Sequence, residues 1–350
     1  MLRVYSIHPF TYDVSSLLHY LCLDESFDLV WDNDSPDILF ASEWIYYKKD
    51  CFEKFRALFD VAKIKVLLAF EAISPDWNLF DYAVGFDDHL QNGDRFIRIV
   101  SPFDMFNGFV SVRENEINSV ELARKELTRK ERFCNFLYSN PQAHVMRDKL
   151  FYELSKYKRV DSLGRHLNNV DQVGTGYEGH SMECVSMKRN YKFSIASENA
   201  VYPGYTTEKI LTSLEAHTVP IYFGNPGIVD DINPNSFINV SDYDSLESLV
   251  QYIKEVDADD ELWCKYVSSP WLTTEQQIYH KNRTEEYKRR IGILLTGDVE
   301  GKERLPIGTH ETHYRRHFFE GTYHCDWSAP KKSYKYYYIK KTLRRLHIMK

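Results

Sequence analysis

The amino-acid sequence predicts an α/β fold in which two Rossmann-like halves face each other across a cleft, followed by a basic C-terminal tail. Short apolar runs alternate with amphipathic segments, which is typical of parallel sheets covered by helices. A charge-dense stretch, residues 111–132, separates an early set of runs from a later one. We therefore predict one Rossmann-like domain at residues 1–130, a second at 131–300, and an irregular segment with a basic tail at 301–350.

The first predicted sheet consists of five apolar runs near the N-terminus. They are LRVYSI (2–7), DLVW (28–31), DILFA (37–41), KVLLAF (65–70) and DYAVGF (81–86). Residues 15–24 and 48–60, between some of these runs, have the pattern of amphipathic helices. Helical connections of this kind return the chain to the end of the sheet at which the previous strand began, so the strands are expected to be parallel.

The second predicted set begins after the charged stretch. Its strand-like runs lie at 132–139, 192–197, 219–224 and 236–240. Its predicted helices lie at 142–156, at 208–217 and from Leu246 onward. Residues 273–295 are predicted to form a long surface helix, and residues 301–330 are irregular.

The composition is that of a folded protein in a reducing compartment. With 350 residues, 43% of them hydrophobic, the chain can bury substantial cores, which excludes intrinsic disorder. Its six cysteines are widely spaced and form no C-x-x-C pair, so neither a zinc site nor a disulfide framework is indicated. The N-terminus lacks the features of a secretory signal, and no run approaches about 18 apolar residues. We expect a cytoplasmic protein without a transmembrane helix.

The C-terminal tail differs from the rest of the chain in charge. The formal net charge is −7, yet residues 331–350 hold eight of the 44 Lys and Arg residues and none of the 51 Asp and Glu residues. The preceding 330 residues therefore carry a formal charge of −15. Because aromatic and aliphatic residues alternate with the basic ones, the tail is predicted to bind an anionic membrane surface. Nucleic-acid binding is a competing use that the acidic body disfavours, and a solvated tail is the simplest alternative.

The stretch YPGYTTEKI, residues 202–210, predicts an anion site. It connects the predicted strand 192–197 to a helix that a threonine can cap, and free N–H groups at such a helix start favour an anion. Gly204 allows a close turn there. Lys209 in the first helical turn is disfavoured by the helix dipole unless a phosphate compensates it. The alternative is an exposed lysine paired with a nearby carboxylate.

Longer segments resemble a known family. The nucleotide-sugar signature of the α-1,3/4-fucosyltransferases, glycosyltransferase family 10, is similar to four segments: YKFSIASEN (191–199), YPGYTTEKI (202–210), HTVPIYFG (217–224) and NPNSFINV (233–240). Residues 70–88 resemble the acceptor-side motif of this family, and residues 136–154 with 161–165 resemble its S-N-x helix and arginine loop. The resemblance covers roughly residues 65–290 and is to bacterial-type soluble members, because no membrane anchor or luminal disulfide set is found.

The resemblance implies a GT-B fold, with an N-terminal domain for the acceptor and a C-terminal domain for GDP-fucose. It implies inverting transfer of L-fucose from GDP-fucose to a hydroxyl of an N-acetylglucosamine-containing, lactosamine-type glycan, with α-1,3 linkage and release of GDP. Two alternatives stay open: a GT-B transferase that uses another nucleotide sugar, and a catalytically silent glycan-binding protein on the same fold. Together with the tail, the resemblance implies peripheral association with the inner face of the membrane, where a lipid-linked glycan such as lipopolysaccharide would be fucosylated.

The resemblance also implies the reacting residues. Glu71 follows the apolar run 65–70 and matches the family's proposed base, which an inverting displacement needs to take the proton of the acceptor hydroxyl. The alternative for Glu71 is a solvated loop carboxylate or a cap ahead of Ser74. Arg165 and Lys209 match residues that stabilise the leaving diphosphate, where a guanidinium fork and a compact ammonium group complement each other.

Three further residues match donor-binding positions of the family. Asn199 matches a residue near the diphosphate, and Tyr205 and Glu208 match residues that contact ribose, fucose or phosphate. Glu208 also has a simpler explanation, because the helix dipole favours a carboxylate in the first turn. Glu198, which precedes Asn199, belongs to the same motif and is assigned a structural role.

A metal ion is not expected to be required. Asp32, Asn33 and Asp34 form a D-x-D triplet, a pattern that binds a divalent ion in other glycosyltransferases, but turn chemistry ahead of Ser35 and Pro36 explains it equally well. The cationic residues expected at the diphosphate can replace a metal there. We therefore predict a metal-independent enzyme, although a divalent ion could stimulate it.

Overall fold

The computed structural model describes residues 1–8, 13–21, 23, 27–91, 93–99, 116–171 and 182–297. Within these residues the chain forms two parallel sheets, as the sequence predicted. The predicted irregular segment and basic tail, residues 301–350, lie outside the described residues, as do residues 111–115 of the charge-dense stretch. Among the described residues no helix is both long and apolar enough to cross a membrane.

The first sheet has six parallel strands in the order β2-β1-β3-β4-β5-β6. The strands are β1 (Leu2–Ile7), β2 (Leu29–Trp31), β3 (Ile38–Ser42), β4 (Ile64–Leu68), β5 (Tyr82–Gly85) and β6 (Phe96–Arg98). Two helices accompany them, α1 (Val14–Tyr20) and α2 (Lys49–Leu58). All five predicted strands are present, whereas the short strand β6 was not predicted. The central strands β3 and β4 are buried on both faces, which explains why their sequences are continuously apolar and do not alternate.

The second sheet has five strands in the order β11-β10-β9-β7-β8. The strands are β7 (Arg132–Phe136), β8 (Val160–Ser162), β9 (Tyr191–Ser197), β10 (Val219–Phe223) and β11 (Ile238–Asn239). The helices that accompany it are α3 (Val120–Leu127), α4 (Met146–Ser155), α5 (Met182–Lys188), α6 (Glu208–Glu215), α7 (Ile228–Asp231), α8 (Leu246–Ala258) and α9 (Asp260–Ser268). A core of Phe, Ile, Val and Leu side chains from β7, β9 and β10 packs against α4, α8 and α9.

Helix α3 lies within the charge-dense stretch that the sequence analysis used as a domain boundary. Its N-terminus is capped by Ser119, whose side chain accepts a hydrogen bond from the N–H of Leu122. Ala123 and the preceding Ile117 belong to the core of the second sheet. The described part of the stretch is therefore a surface helix, most of whose residues are exposed, with one side that packs on the C-terminal half.

The last described helix, α10 (Thr274–Thr296), returns to the first sheet. A capping box of Thr273 and Gln276 starts it, and Gly297 ends it with a φ of 75°. Its inward face, which includes Tyr287 and Ile291, packs in the core of the first sheet. Most of its other residues are exposed or half-buried, so α10 is the long surface helix that the sequence predicted, with one buried face. The helix lies inside the predicted C-terminal domain, 131–300, but packs on the N-terminal half, and the domain boundaries themselves stay a prediction.

Candidate active site

The predicted site residues lie where strands of the two sheets end. Glu71 follows β4, Asn199 follows β9, and the loop Glu198–Thr207 leads from β9 into α6. In parallel sheets the crevice beyond the carboxyl ends of the strands is the usual ligand site. This loop also lies against the N-terminal half. Gly204 has a φ of 84°, and a Cβ atom there would be 2.0 Å from the carbonyl oxygen of Phe86. The predicted need for glycine is confirmed, but the close neighbour is backbone of the other half.

Glu198 fixes the start of α6 from inside the protein. It is fully buried, and its two carboxylate oxygens accept hydrogen bonds from the N–H of Thr207 at 2.9 Å and from its hydroxyl at 2.6 Å. Gly224 makes room for it, because a Cβ atom at that position would lie 2.3 Å from Cγ of Glu198. Burial raises the pKa of Glu198 above its ordinary value, and the positive charge of Lys209 offsets part of this rise. Glu198 therefore fixes the position of the N-cap residue Thr207, whose own side chain accepts no N–H of the helix.

Lys209 sits between two carboxylates. Its Nζ is 3.2 Å from Oε2 of Glu198 and 3.1 Å from Oε1 of Glu208. Burial lowers the pKa of Lys209, but Glu208 and Glu198 outweigh that effect and hold the pKa above its ordinary value, so the ammonium group stays charged. The structure gives Lys209 the carboxylate partners of the second sequence alternative, but the side chain is only 15% exposed, and compensation by a phosphate stays a prediction.

Asn199, Glu208 and Lys209 line one cavity of about 190 Å³. Arg147 of α4 and Lys188 of α5 line it as well, so the cavity has three cationic side chains and one carboxylate in its wall. Asn199 is held in place by Arg147, whose Nη1 donates to its Oδ1 at 3.2 Å. An excess of positive charge in a small cavity at the end of a parallel sheet suits an anionic ligand.

Arg165 lies in the loop after β8, beside the cavity. Its N–H donates to the hydroxyl of Ser139, which lines the cavity, at 3.4 Å. The loop lies directly against the backbone that follows β7, since a Cβ atom on Gly164 would be 2.1 Å from the carbonyl oxygen of Tyr138. Arg165 itself is exposed and is not part of the cavity wall. The structure thus brings its backbone, and not its guanidinium, to the predicted diphosphate site.

Tyr205 joins the two halves at Glu71. Its hydroxyl donates to Oε2 of Glu71 at 2.8 Å, and its ring packs edge-on against Phe86 with 5.0 Å between the centroids. Burial and the neighbouring Glu71 raise the pKa of Tyr205 well above its ordinary value, so the phenol remains a donor. Tyr205 does not line the cavity that contains Asn199 and Lys209. Its predicted contact with the donor stays a prediction, and the contact found is with the predicted base.

A second carboxyl group lies close to Glu71. Glu43 follows β3, which neighbours β4 in the sheet, and its Oε2 accepts a hydrogen bond from the N–H of Phe70 at 3.3 Å. Burial raises the pKa of Glu43 to about 7, and the negative charge of Glu71 adds to this. The sequence analysis missed Glu43, although a carboxylate directly after an apolar strand was the signal that identified Glu71.

A buried ion pair also connects the halves. Arg98, at the end of β6, donates to both carboxylate oxygens of Asp231 of α7 at 3.0 to 3.3 Å. Asp88 lies on the other side of the guanidinium. Asp231 in turn accepts the hydroxyl of Thr206 at 2.9 Å and the side-chain amide of Asn225 at 3.2 Å. The loop that carries Tyr205 is therefore held by contacts from both halves. The sequence analysis missed Arg98 because its strand is only three residues long.

The D-x-D triplet has a structural explanation. Oδ1 of Asp32 accepts hydrogen bonds from the N–H groups of Asp34 and Ser35 at 2.9 and 2.8 Å, which is an Asx-type turn. Among the described residues no group of three or more His, Cys, Asp or Glu side chains is arranged to hold a metal ion. Whether activity needs a metal stays a prediction.

Comparison with known proteins finds family similarity in the C-terminal half of the chain, which contains the cationic cavity. Residues 127–293 match the family model described as glycosyltransferase family 10 (fucosyltransferase) C-term. The chain is 30% identical over 216 residues to Alpha-(1,3)-fucosyltransferase FucT of Helicobacter pylori, which covers 54% of this chain and 43% of that protein. It is 39% identical over 151 residues to human GDP-fucose protein O-fucosyltransferase 3, covering 42% of this chain and 31% of that protein. The chain thus spans less than half the length of these curated relatives.

Solved structures show the same fold. A crystal structure of an α1,3-fucosyltransferase superposes with a TM-score of 0.66 at 22% identity, covering 87% of this chain and 93% of that one. Its complex with GDP-fucose superposes with a TM-score of 0.64 at 21% identity, covering 86% and 92%. The prediction of an α/β fold of the GT-B type, with two facing Rossmann-like halves, is confirmed.

Proposed function

We propose that this chain is a member of glycosyltransferase family 10, the fucosyltransferases, whose family model matches residues 127–293, and that it transfers L-fucose from GDP-fucose to a hydroxyl group of a glycan. The observation that carries the proposal is the loop Glu198–Thr207. Its C-terminal end continues into Lys209 in the wall of the cationic cavity, and Tyr205, two residues before that end, bonds to Glu71 of the opposite half. A base and an anion site held by one loop are what a displacement reaction at a nucleotide sugar needs.

In the proposed mechanism Glu71 is the general base. Its carboxylate takes the proton of the acceptor hydroxyl while that oxygen attacks the anomeric carbon of fucose, and the bond from that carbon to the diphosphate breaks. Attack from the face opposite the leaving group inverts the anomeric carbon. Tyr205 orients the carboxylate by holding Oε2, so we assign the acceptor proton to Oε1. General-base catalysis of this kind contributes roughly 10² to 10⁴-fold in rate.

The leaving GDP gains negative charge as the bond breaks. Lys209 lies in the cavity as a charged ammonium group, and Asn199 supplies a side-chain amide beside it. We propose that Arg165 reaches the same diphosphate from the neighbouring loop through its exposed side chain. Glu208 is proposed to contact the ribose or fucose hydroxyls, since it lines the same cavity. Preorganised cations of this kind stabilise a departing diphosphate without a metal.

The proposal also specifies the acceptor and the linkage. We propose an N-acetylglucosamine-containing, lactosamine-type acceptor and an α-1,3 linkage, which the name of the Helicobacter pylori relative supports. The human relative is named as a protein O-fucosyltransferase, so a polypeptide hydroxyl is the competing acceptor. We further propose that no divalent metal is required, and that residues 331–350, which lie outside the described residues, attach the enzyme to the inner membrane face.

The proposal is tested by release of GDP from GDP-fucose, with N-acetyllactosamine or a serine- and threonine-containing polypeptide as acceptor. The parent protein is expected to release GDP with N-acetyllactosamine, with or without a chelator. Glu71→Gln is expected to lose about 10² to 10⁴-fold in kcat. Glu285→Gln, a matched change at an exposed glutamate of α10, is expected to behave as the parent does. Turnover only with another nucleotide sugar, or full activity of Glu71→Gln, would refute the proposal.

A further inference from the structure

Lys188 is a buried lysine that the proposed mechanism does not use. It is the last residue of α5, and only 5% of it is exposed. Its Nζ donates to the hydroxyls of Thr212 at 2.8 Å and of Ser213 at 3.2 Å, both on α6. Among the described residues no carboxylate oxygen lies within 4.0 Å of this Nζ. Two neutral hydroxyl groups satisfy hydrogen bonds, but they do not balance a buried charge.

Lys188 faces the cavity that holds Lys209 and Asn199. Arg147 is a third cation in the wall, is 1% exposed, and has an Nε without a hydrogen-bond partner among the described residues. Buried polar groups of this kind are normally paired, so Nε is a spare donor on a side chain that lines the cavity. Glu208 is the one carboxylate in the wall, and it is already 3.1 Å from Lys209.

A purely structural role is the alternative. Lys188 could serve only to join α5 to α6 through Thr212 and Ser213. Burial lowers the pKa of Lys188, with partial compensation from Cys184 and Glu208, so a positive charge on this side chain is disfavoured unless an anion lies beside it. A structural link between two helices does not need a charge, because an apolar side chain of similar volume would pack there without that cost. A lysine that is buried at a cavity wall, with two hydroxyl groups as its hydrogen-bond partners, therefore favours an anionic ligand in that cavity.

We propose that Lys188 is a further anion-binding residue, which together with Arg147 and Lys209 forms a three-cation wall around the diphosphate of a nucleotide. This inference rests on the proposed function for the identity of the ligand. The sequence analysis assigned Arg165 and Lys209 to the diphosphate, and this inference adds Lys188 and Arg147 to that site. A diphosphate carries the negative charge that Lys188 lacks among its neighbours and offers acceptor oxygens to all three side chains.

The test compares GDP binding with stability of the free protein. Lys188→Met is expected to weaken the Kd for GDP by about tenfold to a hundredfold, which is the range for loss of one charge-assisted hydrogen bond. Because methionine removes a buried charge, the melting temperature of the free variant is expected to be unchanged or higher. Inorganic diphosphate should compete with GDP in the parent protein and compete less well in the variant. Lys149→Met, at an exposed lysine of α4, is the matched control and should bind GDP as the parent does.

The outcomes separate this inference from the proposed function. A GDP affinity of Lys188→Met within twofold of the parent overturns the inference, as does weaker binding accompanied by a lower melting temperature, which would assign Lys188 to the fold. If the parent binds GDP and Lys188→Met does not, but no fucose is transferred, the inference stands and the proposed reaction fails. A parent protein that does not bind GDP overturns both.

Discussion

Replacement of Arg98 by methionine is expected to be one of the most damaging single changes in this protein. The side chains of Arg98 and Asp231 are 2% and 1% exposed, so neither charge is solvated. Methionine removes the cation and leaves Asp231 with only the neutral donors of Thr206 and Asn225. Removing one partner of a buried, hydrogen-bonded ion pair costs about 3 to 5 kcal/mol. Total stabilities are about 5 to 15 kcal/mol, so the variant should approach the limit of stability.

The free energy of unfolding in urea or guanidinium chloride measures this loss directly. A second variant, Arg98→Met with Asp231→Asn, is expected to lose less than Arg98→Met alone, because the fully buried charge of Asp231 is then removed and only Asp88, which is 27% exposed, loses its partner. Arg289→Met breaks the ion pair with Glu286 on the exposed face of α10 and is expected to leave stability nearly unchanged. A loss below about 1 kcal/mol for Arg98→Met would refute the reasoning, since that is the range of a solvated surface pair.

Three further changes test the site. Tyr205→Phe removes the hydrogen bond to Glu71 and is expected to lower kcat about tenfold without changing the Kd for GDP; weaker GDP binding at normal kcat would instead assign Tyr205 to the donor. Gly224→Ala places a Cβ atom 2.3 Å from Cγ of Glu198, so we expect a lower melting temperature and weaker GDP binding; wild-type values for both would contradict this. The pKa of Glu43 is about 7 in the folded protein against an ordinary value of 4.5, so the folded state keeps this carboxyl group protonated up to a higher pH than the unfolded state does. Its stabilising contribution is present below about pH 4.5 and is lost as the pH rises towards 7, a loss that Glu43→Gln should lack in urea unfolding.

Local patterns in the sequence were sufficient to predict most of the strands. The runs that became β3 and β4 are continuously apolar because both faces of a central parallel strand are buried. The start of α6 was also predicted, since a threonine, a glycine turn and a following apolar run lie next to one another in the chain. Strand β6 was missed because three residues, Phe96–Arg98, are too few to show a period.

The candidate site was predicted only in part. Asn199, Glu208 and Lys209 belong to one continuous motif, and the structure gathers them in one cavity. Glu43 and Lys188 were not predicted, because the sequence around each is also compatible with a solvated side chain. Both become unusual only when neighbouring helices and strands remove them from water, and burial depends on contacts between segments far apart in the chain.

The sequence by itself determined most of the strands, their order and the residues of the YPGYTTEKI loop, because periodicity, capping and turn preferences act over a few neighbouring residues. Tertiary structure alone decided which of those residues meet. It brought Tyr205 to Glu71, 134 positions apart, and Arg98 to Asp231, 133 positions apart. It also returned α10 to the first sheet and enclosed Lys188 beside Arg147. The energy of a charge or a hydrogen bond depends on what surrounds it, and in this protein those surroundings come from the opposite half or from another helix.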